Sequence, residues 1–505
     1  MPVPSPVFGI AAHSCLCEHM KIIEFCPEQS MEYLPRSTAA RIRCQLLRLH
    51  ERLLGRDTFQ LLDRLHPIGS DISETRLAAA RDLLRHARSE IPFWQSRLKR
   101  IDPDVFTWDD LDSIPVLTRG EVVCHREQMR WLGPGKELVH KSGGTTDDNL
   151  TFYWDRQRQS WDRATRMRGL AKLGIHPGDR VLHIWPREPR SVAGRFRRGI
   201  RKLRDTVVAD PVVDPRPWTD ASLERLLKVI DRFRPQAIIA YPSWLMRIAR
   251  FMEARSRRIE GIADIILTCG EVLFDHQRTY LEEIMQAPVF QEYGSQDAGL
   301  IAHEDSDKVL RLNPEPMAIE ILRGGRRAEP GELGEVVVTH FFTPRMPFIR
   351  YATGDVARAL HGDVSSLTSQ PAICPLPEGR TSDLLLSELG ELVATRPIIE
   401  SLMETTGATL FSLYQPNPES IHVLCVPQSG VVSQAIANEV LQSHLGKTVT
   451  VIVQQGESFQ ELRSGKHRFV CSPVAASKIA HDTFSGQELS RSWPQQLEPA
   501  GWHRG

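Results

Sequence analysis

The sequence predicts an α/β protein of more than one domain: a large N-terminal body of parallel α/β sheets plus a β subdomain, then a small α+β domain near the C-terminal end. Three observations carry this. At 505 residues the chain exceeds what one hydrophobic core supports. Between about residues 220 and 293, helical and strand-like stretches alternate, and the strand-like ones are mostly apolar. Parallel strands covered on both faces have that composition. From Met317 the pattern changes to strands joined through Gly324-Gly325 and Pro330-Gly331, as in antiparallel pairs.

Residues 1–70 form an N-terminal extension, mostly helical or loose. Within it, 41–62 has helical periodicity with Leu46, Leu47, Leu49, Leu53 and Leu54 as an apolar stripe. The next helix, 75–90, is capped by Ser73 and buries Leu77, Ala80, Leu83, Leu84 and Ala87, ending where Pro92 breaks the ladder. Thr118 caps a further helix. The run Lys141-Ser142-Gly143-Gly144-Thr145-Thr146-Asp147-Asp148 leads into a strand at 150–154. Its glycines let the backbone approach a ligand, and its hydroxyls and N–H groups suit phosphate oxygens. A plain hairpin loop has the same composition. A helix at 156–173 and a strand at 180–185 follow, then a basic run from Arg195 to Arg204. That run is a solvated face or a dock for an anionic partner.

The alternating region has strands at 237–241, 265–268 and 289–293, and helices at 223–233, 243–254 (capped by Ser243) and 275–285. Ligands bind beyond the carboxyl ends of such strands. Tyr241-Pro242-Ser243, Cys269-Gly270-Glu271 and Tyr293-Gly294-Ser295-Gln296-Asp297 all lie there. The β subdomain ends in Tyr351-Ala352-Thr353-Gly354-Asp355, read as a turn carrying an acid. Gly379-Arg380 marks a boundary. Beyond it come strands at 383–386, 421–426 and 448–453, helices at 396–406 and 433–445, a basic loop Arg463-Ser464-Gly465-Lys466-His467-Arg468, and a polar tail.

Composition narrows the partners. Lys+Arg and Asp+Glu are 63 each, so no nucleic-acid partner is expected. No run reaches the ~18 apolar residues of a membrane span. The nine scattered cysteines fit reduced thiols in a cytoplasmic protein. Cys15 and Cys17, beside His13 and His19, lack a second pair and read as a loose segment.

The stretches RDLLRHARSEIPFW, IPVLTRGEV, ILTCGEVL, VFQEYGSQDAGLIAHE, MPFIRYATGD, GRTSDLL and SGKHRFV occur in this order between residues 81 and 470. Together they resemble the adenylate-forming (AMP-binding) superfamily, on its phenylacetate–CoA ligase and CapK-like branch. The resemblance implies an AMP-binding domain at 71–378, a mobile C-terminal lid at 379–474 and a tail at 475–505. It implies that a carboxylate attacks the α-phosphorus of ATP, giving an acyl-adenylate that a thiol then cleaves. It assigns Ser142, Gly143, Gly144, Thr145 and Thr146 to the phosphates, and Gly270 and Glu271 to the adenine. Tyr293 stacks on the base, Gly294 and Ser295 border it, and Asp355 and Arg380 hold the ribose. Asp297 stands where the family has a glutamate for Mg²⁺. Lys466, Thr145 and Asp297 are the catalytic candidates. Coenzyme A is the expected co-substrate, a small carboxylic acid the substrate, and an acyl-carrier protein an alternative acceptor. The sequence departs from the family at Asp147 and Asp148, where glycine and a cation are usual, and at Ser382, where the hinge motif has aspartate. Two other readings follow: a weak or inactive relative that binds nucleotide or a partner protein, and an acyl-adenylate used for amide formation.

Overall fold

The computed structural model describes residues 37–65, 71–141, 150–186, 209–360, 374, 377–426, 430–456, 466–475 and 478. The phosphate-loop residues Ser142, Gly143, Gly144, Thr145, Thr146, Asp147 and Asp148 lie outside them. So do Cys15 and Cys17, the basic run 195–204, the side chain of Ser382, residues 463–465 and most of the tail.

The main sheet has seven strands, in the spatial order Val212–Val213, Val181–Ile184, Ala237–Ala240, Ile265–Thr268, Val289–Ser295, Gly299–Glu304 and Leu310–Leu312. The first five pair in parallel, as the apolar strands require. The last two turn back antiparallel. Helices Asp220–Phe233, Pro242–Ala254 and Asp275–Met285 pack Leu226, Leu227, Trp244, Ile248 and Leu281 against Leu182, Ile238 and Ile266 in one buried cluster.

A second, antiparallel sheet runs Arg326–Arg327, Met317–Arg323, Leu333–His340, Tyr351–Arg358 and Pro377–Arg380. The predicted turn at Tyr351 to Asp355 is therefore the start of a strand. Gly354, at φ +77°, admits a local bend without ending the pairing. Gly379 and Arg380 sit on the sheet's edge strand, with Arg380 directly opposite Asp355. The C-terminal part combines Thr450–Gln455, Ser420–Cys425, Phe411–Asn417 and Val470–Cys471 with helices Arg396–Thr406 and Gln434–Leu445. Its core reaches outside itself: Phe274 is packed with Leu402, Phe411 and Leu441.

Three local predictions are corrected. The helix read at 41–62 is two, Thr38–Leu53 and Thr58–Arg64, separated at Gly55 with φ +63°. Most of its leucine stripe faces outward, with Leu49 54% and Leu53 77% exposed, while Leu47 packs inward beside Cys44, Phe59 and Leu62. The buried contact is made instead by Ala40 and Cys44 against the turn at Gly178, where an added Cβ would stand 2.3 Å from the Ala40 carbonyl oxygen. Small residues there let two backbones meet. Ser73 does not cap its helix; it is the first helical residue and donates its hydroxyl to Asp71 at 2.6 Å. Nor does Ser243 cap its helix: Tyr241 holds that position, Pro242 the next, and Ser243 lies inside the first turn. Thr118 does cap, in a reciprocal box with Glu121. Among the described residues no helix is long and apolar enough to cross a membrane.

Candidate active site

A cavity of about 630 Å³ opens at the carboxyl ends of the parallel strands. Tyr241, Gly270, Gly294, Ser295, Asp297, Arg380 and Lys466 all line it. Residues from five separate stretches of sequence thus share one space.

Glu271 is the first node. Pro242 has no N–H to leave unpaired at the helix start, and the next N–H, that of Ser243, points out of the first turn. Glu271 accepts from that N–H at 2.9 Å and from the Ser243 hydroxyl at 2.9 Å. It also accepts from the backbone N–H of His467 at 2.8 Å. The carboxylate predicted to lie beside adenine therefore ties a strand end, a helix start and the C-terminal segment together. Burial pushes its carboxyl above the usual range, while the Ser243 and His467 donors pull it back. Its neighbour Gly270, at φ +77°, leaves room for Lys466: a Cβ there would lie 2.8 Å from the Tyr241 ring and 3.4 Å from the Lys466 side chain. Lys466 Nζ stands 5.6 Å from the centre of the Tyr241 ring. Burial holds this ammonium below its ordinary pKa, and Glu271 opposes the shift. A desolvated cation is poised to gain from an anionic ligand.

Tyr293, Asp355 and Arg380 form the second node. Tyr293 donates its hydroxyl to Asp355 at 3.0 Å, and Arg380 Nε donates to the other Asp355 oxygen at 3.1 Å. Arg380 also donates to the Thr353 carbonyl at 3.1 Å. Burial, then the Asp355 charge, keeps the Tyr293 phenol protonated far above neutrality. On the adjoining strand, Glu335 accepts from the Gly354 N–H at 3.2 Å. Burial, with Asp355 adding to it, pushes its carboxyl up to about 7.

Asp297 is 6% exposed. One oxygen accepts from the Ser295 hydroxyl and from the Ala298 N–H at 3.2 Å; the other accepts from Tyr351 at 2.8 Å. The carboxylate is thus oriented by hydroxyls rather than presented bare. Gly294 is dictated by the hairpin, since a Cβ would come within 2.4 Å of the Gly299 carbonyl oxygen. Among the described residues no group of three or more His, Cys, Asp or Glu side chains could by itself hold a metal.

Sequence reasoning did not single out Ser243 as a partner of Glu271, nor His467, Thr353, Tyr351 and Glu335. It also missed the cavity's other wall, the helix Arg156–Lys172, where Arg166 meets Glu292 with Nε at 3.0 Å and Nη2 at 2.5 Å. Charged residues spaced three and four apart on one helix were the available signal.

No protein-family profile matches the chain. Protein CapK of Staphylococcus aureus is 19% identical over 294 residues, which are 57% of this chain and 63% of CapK. The chain therefore spans just under two thirds of that relative. The phenylacetate-coenzyme A ligase of Pseudomonas putida is 24% identical over 347 residues, 65% of this chain and 74% of the enzyme. Among solved structures, a 2-hydroxyisobutyryl-CoA ligase in its postadenylation state with R3-HIB-AMP superimposes with a TM-score of 0.62 at 15% identity, covering 82% of this chain and 92% of that one. The same ligase with 2-HIB-AMP and CoA in the thioesterification state gives 0.51 at 16% identity, over 81% and 91%. The fold is that of the adenylate-forming enzymes.

Proposed function

We propose that this chain, a member of the adenylate-forming superfamily on its phenylacetate–CoA ligase and CapK-like branch, activates a carboxylic acid as its acyl-adenylate and transfers the acyl group to a thiol, coenzyme A. The observation that carries the reading is Lys466. A half-buried lysine from the C-terminal segment lines the same cavity as the strand-end residues Gly270, Asp297 and Arg380.

In the first step a carboxylate oxygen bonds to the α-phosphorus of ATP as the bond to pyrophosphate breaks. Two anions must approach, and the Lys466 ammonium, short of solvent, offsets their repulsion. Asp355 carries free acceptor capacity beyond its bonds to Tyr293 and Arg380, so it can accept from ribose hydroxyls. Tyr293, locked by Asp355, presents its ring rather than its hydroxyl to the base. Glu271 acts on the lid through the bonds by which its oxygens hold Ser243 and His467. In the second step a thiol sulfur attacks the acyl carbon, AMP leaves and the thiol proton is released. On this reading 71–378 is the nucleotide-binding body and 379–474 the lid that must swing away between steps.

Mg²⁺ would neutralise charge on the leaving pyrophosphate. Its residue here is Asp297. The Ser295 and Tyr351 hydroxyls orient its two oxygens and leave lone pairs on each, so the carboxylate would fit as an oxygen ligand to a hard cation. Buried free thiols such as Cys269, Cys374 and Cys425 fit a reducing compartment, so we assign the reaction to the cytoplasm.

ATP–pyrophosphate exchange over a panel of carboxylic acids tests the reading. Exchange should appear with at least one acid and fall on the order of 10²–10³-fold in Lys466→Ala. Well-folded protein that exchanges with none, or a Lys466→Ala variant as fast as the parent, would refute it.

A further inference from the structure

We propose that the acid bound in this cavity carries a second hydrogen-bond acceptor, a hydroxyl or carboxylate oxygen remote from the reacting carboxylate, and that Arg166, braced by Glu292, recognises it. The inference rests on the acid-activating reading and names the substrate class of the same cavity.

The helix Arg156–Lys172 forms one wall. Gln159, Asp162, Arg163, Arg166, Met167 and Leu170 all line the cavity, at the three- and four-residue spacing of a single helix face. Such a face usually supplies an apolar stripe. Here only its last turn is apolar. An acid with a plain aryl or alkyl body would be better served by hydrophobic side chains throughout.

Arg166 and Glu292 are the sharpest departure. They are 126 residues apart and meet through two bonds. Glu292 keeps only 3% of its side-chain surface exposed, whereas Arg166 keeps 45%, on the cavity wall. As a prop for the fold this is a poor choice, because Glu292 loses its solvent while its half-exposed partner gives back little stability. As a binding device it is apt. Glu292 takes one edge of the guanidinium and fixes its plane, and the half-exposed group lines the cavity with N–H donors to spare. A guanidinium only donates, so what it grips must accept. The lining elsewhere is polar too, with His183 Nε2 2.6 Å from Asp210 Oδ1. Cys269, Arg166 and Lys466 all line the cavity, and both cations act on the Cys269 thiol. An acid whose carboxylate meets Lys466 therefore shares its cavity with the Arg166 guanidinium.

The test uses the full chain with phenylacetate and hexanoate, each alongside its terminal hydroxy and terminal carboxy derivative. Two readouts are taken: ATP–pyrophosphate exchange and calorimetric binding of the acid. The parent protein should favour an acceptor-bearing acid over its unsubstituted partner by at least about tenfold. Whether the hydroxy or the carboxy form wins identifies the acceptor. Arg166→Met alone would strand Glu292, so the variant is the double Arg166→Met/Glu292→Leu, which replaces the pair by apolar volume. It should lose the preference or reverse it, while Arg166→Lys keeps part of it. A parent that favours the plain acids, or a double variant with the parental ratio, overturns the proposal. Exchange without discrimination leaves acid activation standing and removes this inference. Selective binding without exchange does the reverse. Neither binding nor exchange with any of the six acids overturns both.

Discussion

Glu271→Gln separates the two half-reactions. Glu271 accepts three hydrogen bonds, two from Ser243 and one from the His467 backbone, at 2.8–2.9 Å. Glutamine has the same shape but only one acceptor oxygen. If that oxygen stays with His467, its amide nitrogen faces the Ser243 N–H; if it flips, it faces the His467 N–H. Either way a donor is left facing a donor, and the negative charge beside Lys466 is gone. Bonds to a charged acceptor contribute about 1.5–3 kcal/mol each, and a stranded buried donor costs about 1–3 kcal/mol. Counting one such loss gives roughly 1.5–3 kcal/mol against the docked lid. At about 1.4 kcal/mol per decade that is a ten- to hundredfold fall in the acid-activating step. ATP–pyrophosphate exchange reads that step. Thioester formation from supplied acyl-adenylate reads the other, and should change by less than a few fold if, as proposed, the lid has left this docking by then. Exchange within twofold of the parent, or an equal fall in both halves, would refute the role of Glu271 as a clasp.

Other perturbations follow from the same geometry. Glu335 has its carboxyl raised from 4.5 to about 7. Its contribution to stability is fully present below about pH 4.5 and is lost as pH rises through about 7; at about 1.4 kcal/mol per pH unit this amounts to roughly 3 kcal/mol. Glu335→Gln should flatten that dependence in urea melts compared between pH 5 and 8, and parallel curves for parent and variant would count against it. Gly169→Ala should destabilise despite gaining about 1 kcal/mol of helix propensity, because a Cβ would stand 1.8 Å from the buried His303 ring; overpacking of this kind costs about 1–3 kcal/mol, and a thermal melt decides the sign. Phe274→Ala removes a ring 3% exposed and 5.1 Å from that of Phe469. A cost of about 3–5 kcal/mol should show as faster proteolysis and hydrogen exchange over residues 396–471, with the seven-stranded sheet protected as before.

What the sequence disclosed and what it hid have physical reasons. The parallel strands were legible because Ala237–Ala240 and Ile265–Thr268 are buried at every position and leave no alternation to misread. The order of strand-end motifs brought out Gly270, Glu271, Tyr293, Asp355 and Arg380, which the fold then collects around one cavity or its edge. Periodicity marked the leucines at 46, 49 and 53 but cannot say which face of a helix has a partner. Here the partner contacts Ala40 and Cys44, residues whose small size carries no strong signal. The strand Tyr351–Arg358 hid behind Thr-Gly-Asp, because a glycine that bends a strand looks locally like one that ends it. The Arg166–Glu292 pair was invisible for a simpler reason: neither residue indicates that its counterpart lies 126 positions away.

Phe274 also has a thermal consequence. It belongs to the body by sequence and to the C-terminal core by packing, so seating the lid on the body buries apolar surface that unseating exposes. Burial of that kind is driven by entropy near 25 °C and lowers the heat capacity, so it weakens on cooling. On the proposed lid exchange, the poise between its two orientations should therefore depend on temperature as well as on ligand. In the cold the acid-activating arrangement should be the less populated one, and the ratio of the two half-reaction rates would register the change as a curved rather than a straight Arrhenius plot.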